Sequence, residues 1–155
     1  CRGVALGEHL ARCGGSGGRF ESLGEVYGVT SADDYAHHPA EIAVTLRAAR
    51  EMDFRRVWAV FQPFTYSRTK LLMDDFAKAL SLADRVVMSE IMGSREKNTE
   101  GVYTSQLAEK IPGSVWFAGF EEIADYVMKH AESGDLVITL GCGDVYKCAK
   151  LMLKK

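Results

Sequence analysis

Apolar positions along this chain cluster in short runs separated by longer stretches of helical period. "RRVWAVFQ" (55–62), "DRVVMSEI" (84–91), "SVWFAG" (114–119) and "DLVITLG" (135–141) are strand-length runs rich in β-branched and aromatic residues. Between them, "TKLLMDDFAKALSLA" (69–83) puts Leu72, Phe76, Ala79 and Leu80 on one helical face. "TSQLAEKI" (104–111), "FEEIADYVMKHAES" (120–133) and "DVYKCAKLMLKK" (144–155) repeat the pattern. Upstream, Pro39 occupies a first-turn position, and Ile42, Leu46 and Ala49 mark a helical face running to Met52. Before it, "EVYGVTSADDY" mixes β-branched and aromatic residues around Gly28, the pattern of a hairpin or bulged strand ending at two acids.

Alternating strands and helices predict an α/β fold, a Rossmann-like open and mostly parallel sheet with helices on both faces. Ligands of such sheets bind beyond the carboxyl ends of the strands. That edge carries Asp33 to His38, then "QPFTYSR" (62–68), "SEIMGSREKN" (89–98) and "GCGD" (141–144). The opposite edge carries "EMDFRR", "SLAD", "KIPGS" and "ESGD", which read as ordinary turn chemistry. "CGGSGG" (13–18) has four glycines in six residues and reads as a flexible joint. Residues 1–20 are therefore expected to be a linker or the remnant of a preceding domain, and residues 21–155 the folded domain.

Composition narrows the partners. The 155 residues are 47% apolar, enough for one core, and 19 basic against 21 acidic residues leave a formal net charge of −2. With no run of like charge, neither nucleic acid nor an anionic membrane is favoured; small molecules and proteins remain. No apolar run reaches the roughly 20 residues of a membrane span. Cys1, Cys13, Cys142 and Cys148 match neither zinc spacing nor a disulfide scaffold and read as reduced thiols of a cytoplasmic protein.

The densest chemistry is "DDYAHHPAE" (33–41), at a strand-to-helix junction. A metal reading takes Asp33 or Asp34 with one or both histidines, but no HxH, HxxxH or third donor cluster completes it. A plain-loop reading has His38 capping the helix and Asp33 meeting solvent. An anion reading uses the helix N-terminus opened by Pro39, with a histidine and Arg68 completing a carboxylate or phosphate site. "GCGD" invites a dinucleotide reading, yet the third glycine of G-x-G-x-x-G would fall at Tyr146, and no phosphate loop occurs anywhere. Cys142 reads as a buried small hydrophobe rather than a nucleophile.

Together, "GEVYGVTSADDYAHHPAEI", "VFQPFTYSRTKLLMDDFA", "SREKNT" and "ITLGCGDVYK" resemble the C-terminal domain of the Mur ligases, from about Arg19 to the C-terminus. "DDYAHHP" and "FQP...YSRT" resemble most the branch that joins L-alanine to UDP-N-acetylmuramate. The resemblance implies a three-domain cytoplasmic enzyme of peptidoglycan synthesis in which this domain brings the amino acid. ATP phosphorylates the lactyl carboxylate, the amine attacks the acyl phosphate, and Mg2+ holds the phosphates on the central ATPase domain, so no tightly bound cofactor is expected on this chain. By the same resemblance, Arg19 falls on a hinge arginine and Asp34 on an acid, both facing the nucleotide when the domains close. His37 falls on a histidine near the alanine, and Arg68 on an arginine reaching its carboxylate, whereas His38 is left a structural role. Gly18 departs from the family pattern at the hinge, where a first arginine usually precedes Arg19; Phe64 and Thr65 depart from it after "FQP", which leaves the carboxylate to Arg68 alone. A free-standing nucleotide- or metabolite-binding module using the "GCGD" turn is the alternative reading.

Overall fold

The computed structural model describes residues 21–92, 97, 101–141 and 144–153. The expected joint, Gly18 and Arg19 lie outside them, as do Cys142 and Gly143. The chain opens with an antiparallel hairpin, β1 (Glu21–Val26) and β2 (Val29–Asp34). Its two-residue turn, Tyr27 at φ 55° and Gly28 at φ 80°, has the positive dihedrals that match strand twist. A Cβ on Gly28 would run into the Ser133 side chain, so glycine is needed there twice over.

There follow α1 (Pro39–Arg50), β3 (Val57–Phe61), α2 (Tyr66–Leu71), α3 (Met73–Leu80), β4 (Arg85–Met88), α4 (Thr104–Glu109), β5 (Val115–Trp116), α5 (Phe120–His130), β6 (Leu136–Leu140) and α6 (Tyr146–Leu153). The sheet has six strands in the order β1-β2-β6-β3-β4-β5, all parallel except β1. This is the expected α/β architecture, with β6 returning to the middle between β2 and β3.

Both faces of the sheet are dry, which is why the strands read as continuous apolar runs rather than alternating ones. Val57, Ala59 and Phe61 of β3, with Leu136, Ile138 and Leu140 of β6, pack against Ile42, Leu46 and Ala49 of α1, Phe76 and Leu80 of α3, and Leu107 of α4. Trp58 and Val60 of β3, with Val137 of β6, face Ile123, Ala124 and Val127 of α5 and Cys148, Ala149 and Met152 of α6. Because β6 feeds a helix on the second face while β2 and β3 feed helices on the first, the crevices beside β6 are the topological switch point.

Several elements are shorter than their sequence-based bounds, β4 keeping only Arg85–Met88 of the run 84–91, and two departures have a visible structural setting. The helix expected over 69–83 starts at Tyr66 and breaks at Leu72 (φ −109°, ψ 16°), separating α2 from α3. The break lets α2 follow the edge loop while α3 turns Phe76, Ala79 and Leu80 onto the sheet. The strand expected over 114–119 contracts to Val115–Trp116 at the sheet edge, where a short strand exposes few unpaired backbone groups. Among the described residues, no helix is long and apolar enough to cross a membrane.

Candidate functional site

The parallel ladder continues past the strands and brings the expected loops side by side. Gly141 N–H donates to Asp34 O at 3.3 Å, Gln62 N–H to Leu140 O at 3.0 Å, Ser89 N–H to Phe61 O at 3.0 Å and Phe117 N–H to Met88 O at 3.0 Å. The described parts of the segments 33–38, 62–68, 89–92 and 141–144 therefore share one edge. Gly141 (φ 149°) is pressed into the switch-point crevice, where an added Cβ would sit 3.2 Å from the Gln62 carbonyl oxygen.

Asp34 is only 5% exposed. One carboxylate oxygen accepts the Ala36 N–H at 2.8 Å, and the other accepts the Thr45 hydroxyl at 2.8 Å. Its carboxylate thus folds the loop back on β2 and ties it to α1. Asp33 is half-buried and accepts the Thr139 hydroxyl at 2.6 Å, so it braces β6 as well as meeting solvent in part.

The adjacent histidines divide their tasks. His38 caps α1: the Ala40 N–H donates to its Nδ1 at 3.2 Å, which requires that nitrogen to be unprotonated. Glu41 completes the cap by accepting the His38 N–H at 3.3 Å. These contacts occupy first-turn donors that an anion would need, and Glu41 adds negative charge, so the geometry runs against the anion reading of this helix start. His37 takes the opposite tautomer: its Nδ1–H donates to the Tyr35 carbonyl at 3.1 Å, leaving Nε2 as the acceptor of the neutral ring. The Tyr35 ring stands edge-on to it, with centroids 5.8 Å apart. No partner for His37 Nε2 occurs among the described residues.

Arg68 lies in the first turn of α2, half-buried, and its guanidinium has no acceptor among the described residues. A half-buried cation with no acceptor among the described residues could take an external carboxylate or phosphate. On the same edge, Gln62 is 5% exposed; its Nε2–H donates to Asp144 Oδ1 at 3.0 Å, joining the end of β3 to the start of α6. Its Oε1 is buried without a partner among the described residues.

Among the described residues, no group of three or more His, Cys, Asp or Glu is placed to hold a metal ion. Arg19 and the "GCG" turn beyond Gly141 lie outside the described residues. Cys148 is fully buried in the α6 face of the core, and burial pushes its thiol up to about 12, which makes it an inert hydrophobe.

The opposite edge holds what the sequence reading passed over. Asp135 is 0% exposed. Its Oδ2 accepts from the Glu132 N–H at 3.0 Å, the Trp58 indole at 3.0 Å and Arg56 at 3.2 Å, while Arg55 Nε lies 3.3 Å from Oδ1. Burial pushes this carboxyl up, but the Glu132 N–H, the Trp58 indole and Arg56 together outweigh it and hold it below the ordinary carboxylate range. No local signal marks the network, because Arg56 and Asp135 are 79 residues apart.

Residues 18–143 match the family model described as "Mur ligase, glutamate ligase domain". A UDP-N-acetylmuramate–L-alanine ligase from Alkaliphilus metalliredigens is 46% identical over 97% of this chain and 33% of its own length. One of the same name from Lachnospira eligens is 48% identical over 94% of this chain and 32% of its own. The chain thus spans about a third of the length of these curated relatives. Among solved structures, the UDP-N-acetylmuramate-alanine ligase of Thermotoga maritima superposes with a TM-score of 0.70 at 22% identity, over 88% of this chain and 29% of that one. A murein peptide ligase of Psychrobacter arcticus superposes with a TM-score of 0.72 at 23% identity, over 88% and 29%. At these identities the structures speak for the fold alone.

Proposed function

The chain belongs to the family of Mur ligase glutamate-ligase domains, and from that premise we propose that it is the amino-acid-positioning domain of an ATP-dependent, cytoplasmic ligase joining L-alanine to UDP-N-acetylmuramate in peptidoglycan precursor synthesis. The names of its relatives support the substrate pair. The observation that carries the positioning role is Arg68, a half-buried guanidinium with no acceptor among the described residues, on the edge that also presents His37.

In this reading Arg68 takes the amino-acid carboxylate through its planar fork. His37 Nε2 accepts from the amine, keeping it aimed and helping it shed its proton. Asp34 acts through the loop it folds, and that loop, with Arg19, faces the nucleotide side when the domains close. ATP with Mg2+ would supply acyl-phosphate activation, and the family resemblance assigns both to a central domain; among the described residues no group of three or more His, Cys, Asp or Glu is placed to hold the metal ion. This chain by itself positions one reactant and holds it in near-attack geometry.

The test is steady-state kinetics of the complete ligase carrying Arg68→Ala. Losing a charge-assisted bond of about 1.5 to 3 kcal/mol should raise KM for L-alanine about 10- to 150-fold and leave KM for ATP nearly unchanged. Arg68→Lys should recover only part, since the fork is lost. An equal rise in both constants would overturn the assignment and make Arg68 a closure residue.

A further inference from the structure

Thr65 has a backbone that its side chain resists. It sits at φ 62° and ψ 145°, a region that suits glycine and crowds a β-branched residue. Two clamps hold it there. On one side, Thr65 N–H donates to Met92 O at 2.8 Å and Met92 N–H donates to Pro63 O at 2.9 Å. These bonds close a parallel bridge between Phe64 and Met92 that carries the β3–β4 pairing past both strands. On the other side, Thr65 O accepts the Thr69 N–H at 3.3 Å and the Thr69 hydroxyl at 2.7 Å, and Thr69 is fully buried. Between the clamps, Thr65 Oγ1 accepts the Arg68 N–H at 3.4 Å.

Within one residue the chain therefore changes from extended, paired backbone to the start of α2, and Arg68 lies three residues on. Glycine would accept this dihedral without crowding, but it has no hydroxyl to meet the Arg68 N–H. We propose that Thr65 is a positioning residue for the amino-acid substrate, using strained backbone and hydroxyl together to fix where the Arg68 guanidinium stands. The inference rests on the reading of Arg68 as the carboxylate ligand. It adds that the segment after β4 sets the same position, since Met92 anchors the strained residue.

The test is a set of variants of the complete ligase, Thr65→Gly, Thr65→Ala and Thr65→Ser, each with Arg68 intact and with Arg68→Ala, read by KM for L-alanine, KM for ATP and melting temperature. Loss of the capping hydroxyl in the glycine and alanine variants should raise KM for L-alanine about three- to tenfold, with KM for ATP unchanged. Thr65→Gly should melt no lower than the parent, because relief of crowding offsets the lost cap. Thr65→Ser should stay close to the parent. In the Arg68→Ala background the Thr65 substitutions should add nothing. The proposal is overturned if Thr65→Gly and Thr65→Ala leave KM for L-alanine alone, raise both constants equally, or act undiminished without Arg68. If Arg68→Ala alone leaves KM for L-alanine unchanged, the reading of the site has failed instead.

Discussion

Replacing Asp135 by Asn keeps the shape of the side chain and removes its charge. The carboxylate is 0% exposed; three donors meet its Oδ2, the Glu132 N–H, the Trp58 indole and Arg56, while Arg55 stands within ion-pair distance of an Oδ1 that has no hydrogen-bond partner among the described residues. A charge-assisted bond is worth roughly 1.5 to 3 kcal/mol. The arginine side chains are 45% (Arg55) and 24% (Arg56) exposed, so water recovers part of what they lose. About 2 to 3 kcal/mol is then expected for Asp135→Asn, and about 3 to 5 kcal/mol for Asp135→Ala, which leaves the indole and Arg56 unanswered. At about 2 to 4 °C per kcal/mol for a domain of this size, Asp135→Asn should melt about 4 to 12 °C lower. The sign of the pH dependence follows from a carboxyl held below its ordinary value in the folded state. Its contribution is present above the unfolded value of about 3.9 and is lost as pH falls through the lower folded value. Urea titrations of the 155-residue chain and its Asp135→Asn variant, followed by tryptophan fluorescence at several pH values from 7 to 3, measure this directly. The stability gap should be full near neutrality and narrow below about pH 4. A gap under about 0.5 kcal/mol at pH 7, or one that stays constant down to pH 3, would refute the reasoning.

The two histidines should separate stability from substrate use. His38→Ala should cost about 1 kcal/mol of stability through the lost cap and leave KM for L-alanine within about twofold. His37→Ala should lower L-alanine turnover in the complete ligase with little change in melting; the reverse pattern would exchange the two assignments. Cys148, buried and with its thiol pushed up to about 12, should resist iodoacetamide at pH 8 in the native chain and react once urea unfolds it, as read by peptide mass mapping. Native-state labelling would contradict its place in the core.

Local sequence determined what depends on neighbours along the chain. The strand and helix periods, the hairpin at Gly28, the first-turn proline of α1 and the His38 cap each follow from a few adjacent residues, because backbone dihedrals, side-chain period and capping are short-range physics. The carboxyl edge was legible for the same reason, since parallel strands joined by helices leave their outgoing loops on one side. Tertiary structure decided what depends on residues far apart. Asp33 and Asp34 are neighbours in one motif, but Thr139 of β6 claims the first and Thr45 of α1 the second. Turn chemistry at "RR" and "ESGD" became a buried ion network only when β3 and β6 lay side by side, as their register requires. In the sequence Thr65 is only a departure from the family pattern; Met92, from the loop after β4, pins its backbone at φ 62° and makes it the cap of α2. A side chain's type declares what it can bind, whereas its burial and its partners are set by the sheet order β1-β2-β6-β3-β4-β5, which no stretch of sequence carries by itself.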